Sequence, residues 1–245
     1  MKTILITGCS SGFGLETARY FLERDWKVIA TMRTPNADLL PASPHLRVLP
    51  LDVTDPDSIS KLIETAGPVD VLVNNAGIGL LGALEGISLD KVREVFETNT
   101  FGTMAMTQAV LPQMRERKAG VIVNVTSSVT LKSLPLLSVY TASKAAVNAF
   151  TESLALELAQ CNVRVNLVLP GRAPTTSFGA NAQPRMQGAI PEAYAAMAQH
   201  VFAGWAQSTE EVTHAIDVAQ AVWQAATTAD APMRIAAGAD AVALM

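Results

Sequence analysis

The chain has 245 residues, 49% of them hydrophobic and 16% charged, and its 18 basic against 22 acidic side chains leave a formal charge of −4. That hydrophobicity excludes an intrinsically disordered chain, and the lack of a basic block argues against a nucleic-acid binder. The length suits one large domain or two small ones, and a chain of this size can bury about three quarters of its unfolded surface.

In chain order, Thr3–Thr7 reads as a buried strand, followed by a helical pattern over Gly14–Arg24. Further strands are expected at Lys27–Met32, Arg47–Asp52, Val69–Asn74, Val121–Ser127, Val163–Leu169 and near Met233–Ala237. Helices are expected at Ser58–Thr65, Leu89–Arg117 and Tyr140–Gln160, the last with Ala146, Phe150, Leu154 and Leu158 as an apolar stripe. The strands are continuously apolar instead of alternating, as in a parallel sheet covered on both faces. Alternation of strand and helix predicts a single-domain, doubly wound α/β fold over residues 1–245. Residues 172–190, with Pro174, Gly179, Pro184 and Gly188, read as a long irregular segment. Helical patterns over Pro191–Ala206 and Thr209–Thr227 follow, so that about 172–206 is expected to act as a lid.

No apolar run reaches the ~18 residues of a membrane span, and the run at Ile4–Ile6 is too short for a signal core. Cys9 and Cys161 stand far apart, and His45, His200 and His214 lack metal-ligand spacing. A metal-free, cytoplasmic protein with no membrane or nucleic-acid partner is the expectation.

The first strand feeds Gly8-Cys9-Ser10-Ser11-Gly12-Phe13-Gly14 and then a helix. Backbone N–H groups and the helix dipole converge there on one point that suits a pyrophosphate, and glycine permits the close approach. Cys9 reads as a small filler. The second strand ends at Arg33 with no acid to bind a ribose 2′-hydroxyl, and a guanidinium suits a 2′-phosphate, which favours NADP(H) over NAD(H). Ser11, where a basic residue would support the same choice, is a dissenting cue.

Tyr140 and Lys144, four residues apart on one helix, share a face. A nearby ammonium is expected to lower the phenol's pKa and fit it for proton transfer to or from a carbonyl oxygen. Ser127 lies at the carboxyl end of a strand, where open α/β sheets bind ligands; Ser128 is its near competitor.

The glycine spacing, Leu51-Asp52-Val53, Asn74-Asn75-Ala76-Gly77, Asn124-Val125-Thr126-Ser127 with Tyr140 and Lys144, and Pro170-Gly171 together resemble the short-chain dehydrogenase/reductase family over essentially the whole chain. Among its branches, the chain is most similar to the steroid- and retinol-dehydrogenase-like one and its bacterial relatives. The resemblance implies a Rossmann fold with a mostly parallel seven-stranded sheet and helices on both faces. It implies that Ser10, Ser11, Phe13, Asp52, Val53, Asn75, Ala76 and Gly77 line the cofactor, with Asp52 and Val53 near the adenine. It also implies that Ser127 steadies the substrate oxygen, Tyr140 acts as general acid/base, Lys144 tunes it and binds the nicotinamide ribose, and Asn99 holds a water of the proton relay. Pro170 and Gly171 would turn over the nicotinamide and Thr175 would bond its carboxamide, although Ala173-Pro174 departs from the pattern and Thr176 is an alternative.

The expected activity is interconversion of a medium-sized, mostly apolar ketone and its secondary alcohol. Phe178, Met186, Tyr194, Met197, Phe202 and Trp205 would line the lid, with Leu134 to Val139 bordering the pocket. Alternatives are an NAD-dependent alcohol dehydrogenase, a methyltransferase on a related fold, or a cofactor-binding sensor that keeps the fold without turnover. The resemblance further implies a homodimer or homotetramer through the helices at Leu89–Arg117 and Tyr140–Gln160, where Ala145, Ala149 and Ala155 permit close packing.

Overall fold

The computed structural model describes all residues from Met1 to Met245. Seven strands, β1 (Thr3–Ile6), β2 (Lys27–Met32), β3 (Leu46–Pro50), β4 (Val71–Asn74), β5 (Gly120–Val125), β6 (Val163–Pro170) and β7 (Arg234–Ala237), form one sheet ordered β3-β2-β1-β4-β5-β6-β7. Every pairing is parallel. This is a doubly wound, Rossmann-type sheet whose order reverses between β1 and β4, the place where such sheets open a crevice.

Two apolar layers cover it. Successive strand side chains point to opposite faces, so Ile4 and Ile6 of β1 enter one layer and Leu5 enters the other. The first layer packs against Ala18 and Phe21 of α1 (Gly12–Leu22) and Val218 and Val222 of α8 (Ala215–Thr227). The second packs against Ile59 and Leu62 of α2 (Pro56–Ala66), Met106 and Val110 of α4 (Gly102–Arg117), and Leu154 and Leu158 of α5 (Ser138–Leu158). Burial on both faces explains the unbroken apolar runs of the strands.

Local chemistry starts the helices where the chain needs them. Asp55 caps α2, accepting from the Asp57 amide, with Pro56 in the first turn, and Ser88 caps α3 (Leu89–Phe96). His214 and Asp217 form a reciprocal capping box at α8, which gives this exposed histidine a structural task. No helix is long and apolar enough to cross a membrane.

Four differences from the sequence expectation matter for the site. The helix read over Leu89–Arg117 is interrupted by a π-turn at Glu97–Phe101, between α3 and α4. The irregular segment holds a helix, α6 (Phe178–Met186), despite Pro184. Its support is tertiary: Ala182 and Ala189 are fully buried, and side chains on Gly79 and Gly82 would collide with this segment. The lid's second helix, α7, begins at Ala195 (Ala195–Gln207), and α8 begins only at Ala215, leaving Thr213 outside any helix. Finally, a one-turn helix, α9 (Ala239–Val242), follows β7.

Candidate active site

A cleft of about 2540 Å³ runs along the carboxyl ends of the strands. It starts at the turn after β1, where Gly8, Ser10, Ser11, Gly12 and Phe13 line it. The Ser11 side chain makes no capping hydrogen bond to α1, and the first turn carries no acid. The leading N–H groups and the positive end of the helix dipole are therefore left for an anion. Gly8 has φ +75 and backs onto Ala76, whose Cα would lie 2.9 Å from a Cβ there. Gly14 does not line the cleft; a Cβ on it would overlap the Gly8 carbonyl oxygen and the Asn75 amide nitrogen. It serves close packing of helix on strand.

The segment after β4 is stitched to this turn. Thr7 Oγ1 accepts from the amides of Asn75 and Ala76 at 3.0 and 2.9 Å. Asn75 Nδ2 donates to the carbonyls of Thr7 and Gly8 at 2.9 and 3.1 Å. Asn75, Ala76 and Gly77 thus form one wall of the cleft. At its far end stand Arg33, Asp52 and Val53. Arg33 is exposed and has no ion-pair partner. The carboxyl of Asp52 is held below its usual pKa first by the Thr54 amide and hydroxyl, with a smaller contribution from the Arg33 charge. Cys9 is fully buried and its thiol is pushed up to about 12 by loss of solvent, which leaves it inert at neutral pH, as a filler should be.

The other half of the cleft gathers Ser127, Tyr140 and Lys144, all buried. The Ser127 side chain stands near enough to the Tyr140 phenol to act on its pKa, so Ser127 and not Ser128 is the serine beside it. Loss of solvent raises the pKa of Tyr140, and the nearby Ser127 hydroxyl offsets part of that rise. The net shift is thus upward, opposite to the lowering expected from Lys144. Burial dominates the phenol, and Lys144 Nζ donates to the Val125 carbonyl at 3.0 Å. Burial also brings Lys144 down to about 8.

Asn99 sits fully buried in the π-turn. Its Oδ1 accepts from the Ile78 amide at 2.8 Å and its Nδ2 donates to the Ile78 carbonyl at 3.0 Å. Nδ2 also donates to Ser143 Oγ at 3.0 Å. Gly77 lies between: a Cβ on it would come 3.2 Å from Asn99 Oδ1 and 3.3 Å from Lys144 Nζ. Asn99 therefore ties the β4 loop, the π-turn and the helix of Tyr140 together. Such extra-residue turns recur at functional sites.

The buried face of α5 carries a polar row that periodicity alone did not reveal. Besides Tyr140 and Lys144 it presents Ser143, Asn148 and Thr151 to the interior; the apolar stripe is fully buried only at Leu154 and Leu158. Thr151 Oγ1 accepts from Asn124 Nδ2 at 2.8 Å, and Asn124 Oδ1 accepts from Asn74 Nδ2 at 2.8 Å across the β4–β5 pairing. Polar residues inside otherwise apolar strands were the available signal for this ladder.

Toward β6, Pro170 and Gly171 line the cleft, but Thr175 is exposed and outside it. Thr176 lines it instead, packing over Gly12, where a Cβ would meet the Thr176 Cβ at 3.5 Å. Of the six lid residues expected to face the substrate, Phe178 and Trp205 do so. The Phe178 ring lies 5.6 Å from that of Tyr140. Tyr194 and Phe202 pack downward on Ala83, Leu136 and Ala198, while Met197 faces solvent. From the segment before Tyr140, Leu134 and Leu137 reach the cleft, and Val139 joins a separate buried cluster. The lining also carries more charge than expected, including Lys91, Glu94, Lys132 and Arg185, of which Arg185 pairs with Glu94 at 2.7 Å. No group of three or more His, Cys, Asp or Glu side chains is placed to hold a metal.

Residues 2–186 match the family model described as short chain dehydrogenase. The chain belongs to the short-chain dehydrogenase family of oxidoreductases. It is 42% identical over 192 residues to bovine (Bos taurus) retinol dehydrogenase 8, covering 73% of this chain and 61% of that protein. To estradiol 17-beta-dehydrogenase 1 of Rattus norvegicus it is 39% identical over 234 residues, covering 86% and 67%. The chain thus spans about three fifths to two thirds of the length of these curated relatives. The crystal structure of a short-chain dehydrogenase from Streptomyces avermitilis superposes with a TM-score of 0.82 at 34% identity, covering 99% of this chain and 90% of that one. Family members of similar fold have been solved with either cofactor. A serine dehydrogenase complexed with NADP+ is 29% identical with a TM-score of 0.81, covering 96% and 94%. A Burkholderia phymatum member in complex with NAD is 26% identical with a TM-score of 0.79, covering 96% and 88%.

Proposed function

We propose that this dehydrogenase interconverts a medium-sized, mostly apolar ketone and its secondary alcohol, using NADP(H) in preference to NAD(H). The observation that carries the reading is the gathering of buried Ser127, Tyr140 and Lys144 in the same cleft as the uncapped start of α1. The site fits a dinucleotide: free N–H groups and helix dipole suit a pyrophosphate, and unpaired Arg33 suits a 2′-phosphate. Gly8, Ser10, Ser11, Gly12 and Phe13 would hold the pyrophosphate side. Arg33, Asp52 and Val53 would hold the adenosine side, and Asn75, Ala76, Gly77, Pro170, Gly171 and Thr176 the remainder. When bound, the nicotinamide supplies or accepts the hydride.

The chain's own residues manage the oxygen and its proton. Ser127 donates to the carbonyl oxygen and fixes it within reach of Tyr140. Tyr140, kept protonated by burial, donates its proton as negative charge develops on that oxygen. Lys144 stabilises the resulting phenolate and binds the cofactor ribose, and Asn99 holds a water through which the phenol regains its proton. Leu134, Leu137, Phe178 and Trp205 support an apolar substrate body, and retinol and estradiol, named in two relatives, are apolar alcohols.

A panel of aryl, cyclic and aliphatic ketones tested with NADPH and NADH checks both parts. NADPH oxidation is expected with apolar ketones, and Arg33→Ala should shrink the preference for NADPH by about tenfold. Efficient turnover of small charged keto acids alone, or a wild-type preference for NADH, would contradict it. We also read α4 and α5 as faces for association into a dimer or tetramer. Phe101 beside α4 is 52% exposed, Leu156 on α5 is 81% exposed, and Ala145 and Ala149 are exposed too. A monomeric mass in solution would refute that.

A further inference from the structure

Just past the end of β6, two backbone amides are held by side chains from much later in the chain, and a carbonyl is held by a backbone amide of the same late segment. The Gly171 amide donates to Thr213 Oγ1 at 2.9 Å, and the Arg172 amide donates to Asp240 Oδ2 at 2.6 Å. The Arg172 carbonyl accepts from the Thr213 amide at 2.8 Å. Thr213 Oγ1 lies 2.7 Å from Asp240 Oδ1 and 2.8 Å from the Ala237 carbonyl oxygen, so its single proton is shared between two acceptors. Thr213 is fully buried, and Asp240 lines the cleft from α9.

Two glycines make room for this arrangement. A Cβ on Gly171 would overlap the Asp240 carboxylate, and one on Gly238, which has φ +92, would overlap Thr213. Both side chains lie beyond residue 186, where the match to the family model ends. A carboxylate on a backbone N–H is a charge-assisted bond, among the stronger ones available to fix a turn.

The sheet order says which part of a ligand this turn meets. Arg33 and Asp52 follow β2 and β3, the glycine turn follows β1, and Ser127 and Pro170 follow β5 and end β6. A dinucleotide with its adenosine at Arg33 and its pyrophosphate at α1 extends toward β5 and β6. Its nicotinamide half therefore falls at Pro170–Arg172. We infer that Thr213 and Asp240 form a clamp that fixes the Pro170–Arg172 turn in the shape that receives the nicotinamide half of the cofactor. Both are positioning residues, acting through the backbone of Gly171 and Arg172. The inference rests on the dinucleotide reading above.

Comparing whole and half cofactor tests it. Binding of NADPH and of 2′,5′-ADP, which lacks the nicotinamide, is measured by calorimetry on the full chain; NADH and ADP replace them if the wild type prefers NADH. Asp240→Ala and Thr213→Val are each expected to weaken NADPH about tenfold or more while leaving 2′,5′-ADP within about twofold. Asp240→Asn and Thr213→Ser keep the bonding groups and should stay within about threefold of wild type for both ligands. Retained 2′,5′-ADP binding also shows that a variant has folded. If Asp240→Ala yields no folded protein, Thr213→Val carries the same expectation. Parallel loss of both ligands, or no loss of either, overturns the clamp. A wild type that binds neither dinucleotide removes the cofactor reading itself, which is a different result.

Discussion

Tyr140→Phe should lower the reduction rate by about 10²–10⁴-fold, the usual worth of a positioned proton donor. The ring keeps its place beside Phe178, and the loss is confined to one hydroxyl, so binding of the cofactor should change by less than about twofold. The pH profile carries a second expectation with a definite sign. Burial keeps the phenol protonated throughout the neutral range and brings Lys144 down to about 8. Lys144 is then a cation below about pH 8 and neutral above it. The cation is the form that stabilises a developing phenolate, so kcat/KM for reduction should be level through neutral pH and fall above about 8. Steady-state rates across pH on wild type and variant provide the check. A Tyr140→Phe enzyme with undiminished turnover, or a wild-type profile that climbs through pH 8, would remove Tyr140 and Lys144 from these roles.

Gly14→Ala should damage fold and cofactor site together. The added methyl would overlap the Gly8 carbonyl oxygen and the Asn75 amide nitrogen. The first is backbone, and the second is tied to the Thr7 and Gly8 carbonyls, so neither can swing away. Overpacking of this kind costs about 1–3 kcal/mol, and in a chain of this size each kcal/mol lowers Tm by roughly 2–4 °C. Because the displaced groups form the glycine turn itself, dinucleotide affinity should fall by about tenfold or more as well. Gly179→Ala is the contrast: nothing lies within 4 Å of its missing Cβ, so stability should stay within about 0.5 kcal/mol. Thermal melts with and without cofactor compare the two. Equal Tm values for Gly14→Ala and wild type would mean that the turn yields more readily than this packing implies.

The seven strands, the glycine turn and the Ser127, Tyr140 and Lys144 set were legible in the chain because each rests on short-range regularity. A strand buried on both faces is apolar throughout, a turn that binds an anion needs glycine, and two side chains four residues apart on a helix share a face. The position of Arg33 could be read for the same reason, as the first residue past the end of a strand. What failed was whatever depended on a partner distant in sequence. Residues 178–186 carry no helical periodicity, and they form α6 because Ala182 and Phe178 settle over Gly79. The long helix breaks at Asn99 because its side chain grips both backbone groups of Ile78. Tyr194 and Phe202, counted as substrate lining, turned inward on Ala83 and Leu136, partners more than fifty residues away in the chain.

By itself, then, the sequence determined the sheet, the glycine turn and the set of Ser127, Tyr140 and Lys144 that the fold brings into one cleft. Only the tertiary structure decided their electrostatics and their support. It buried Tyr140 so that solvent loss outweighs any nearby charge, and it sent Lys144 to the Val125 carbonyl. It also brought Thr213 and Asp240 to the end of β6, across 42 and 68 residues of intervening separation. Desolvation and long-range hydrogen bonds are properties of assembled space, and no local pattern in a chain encodes them.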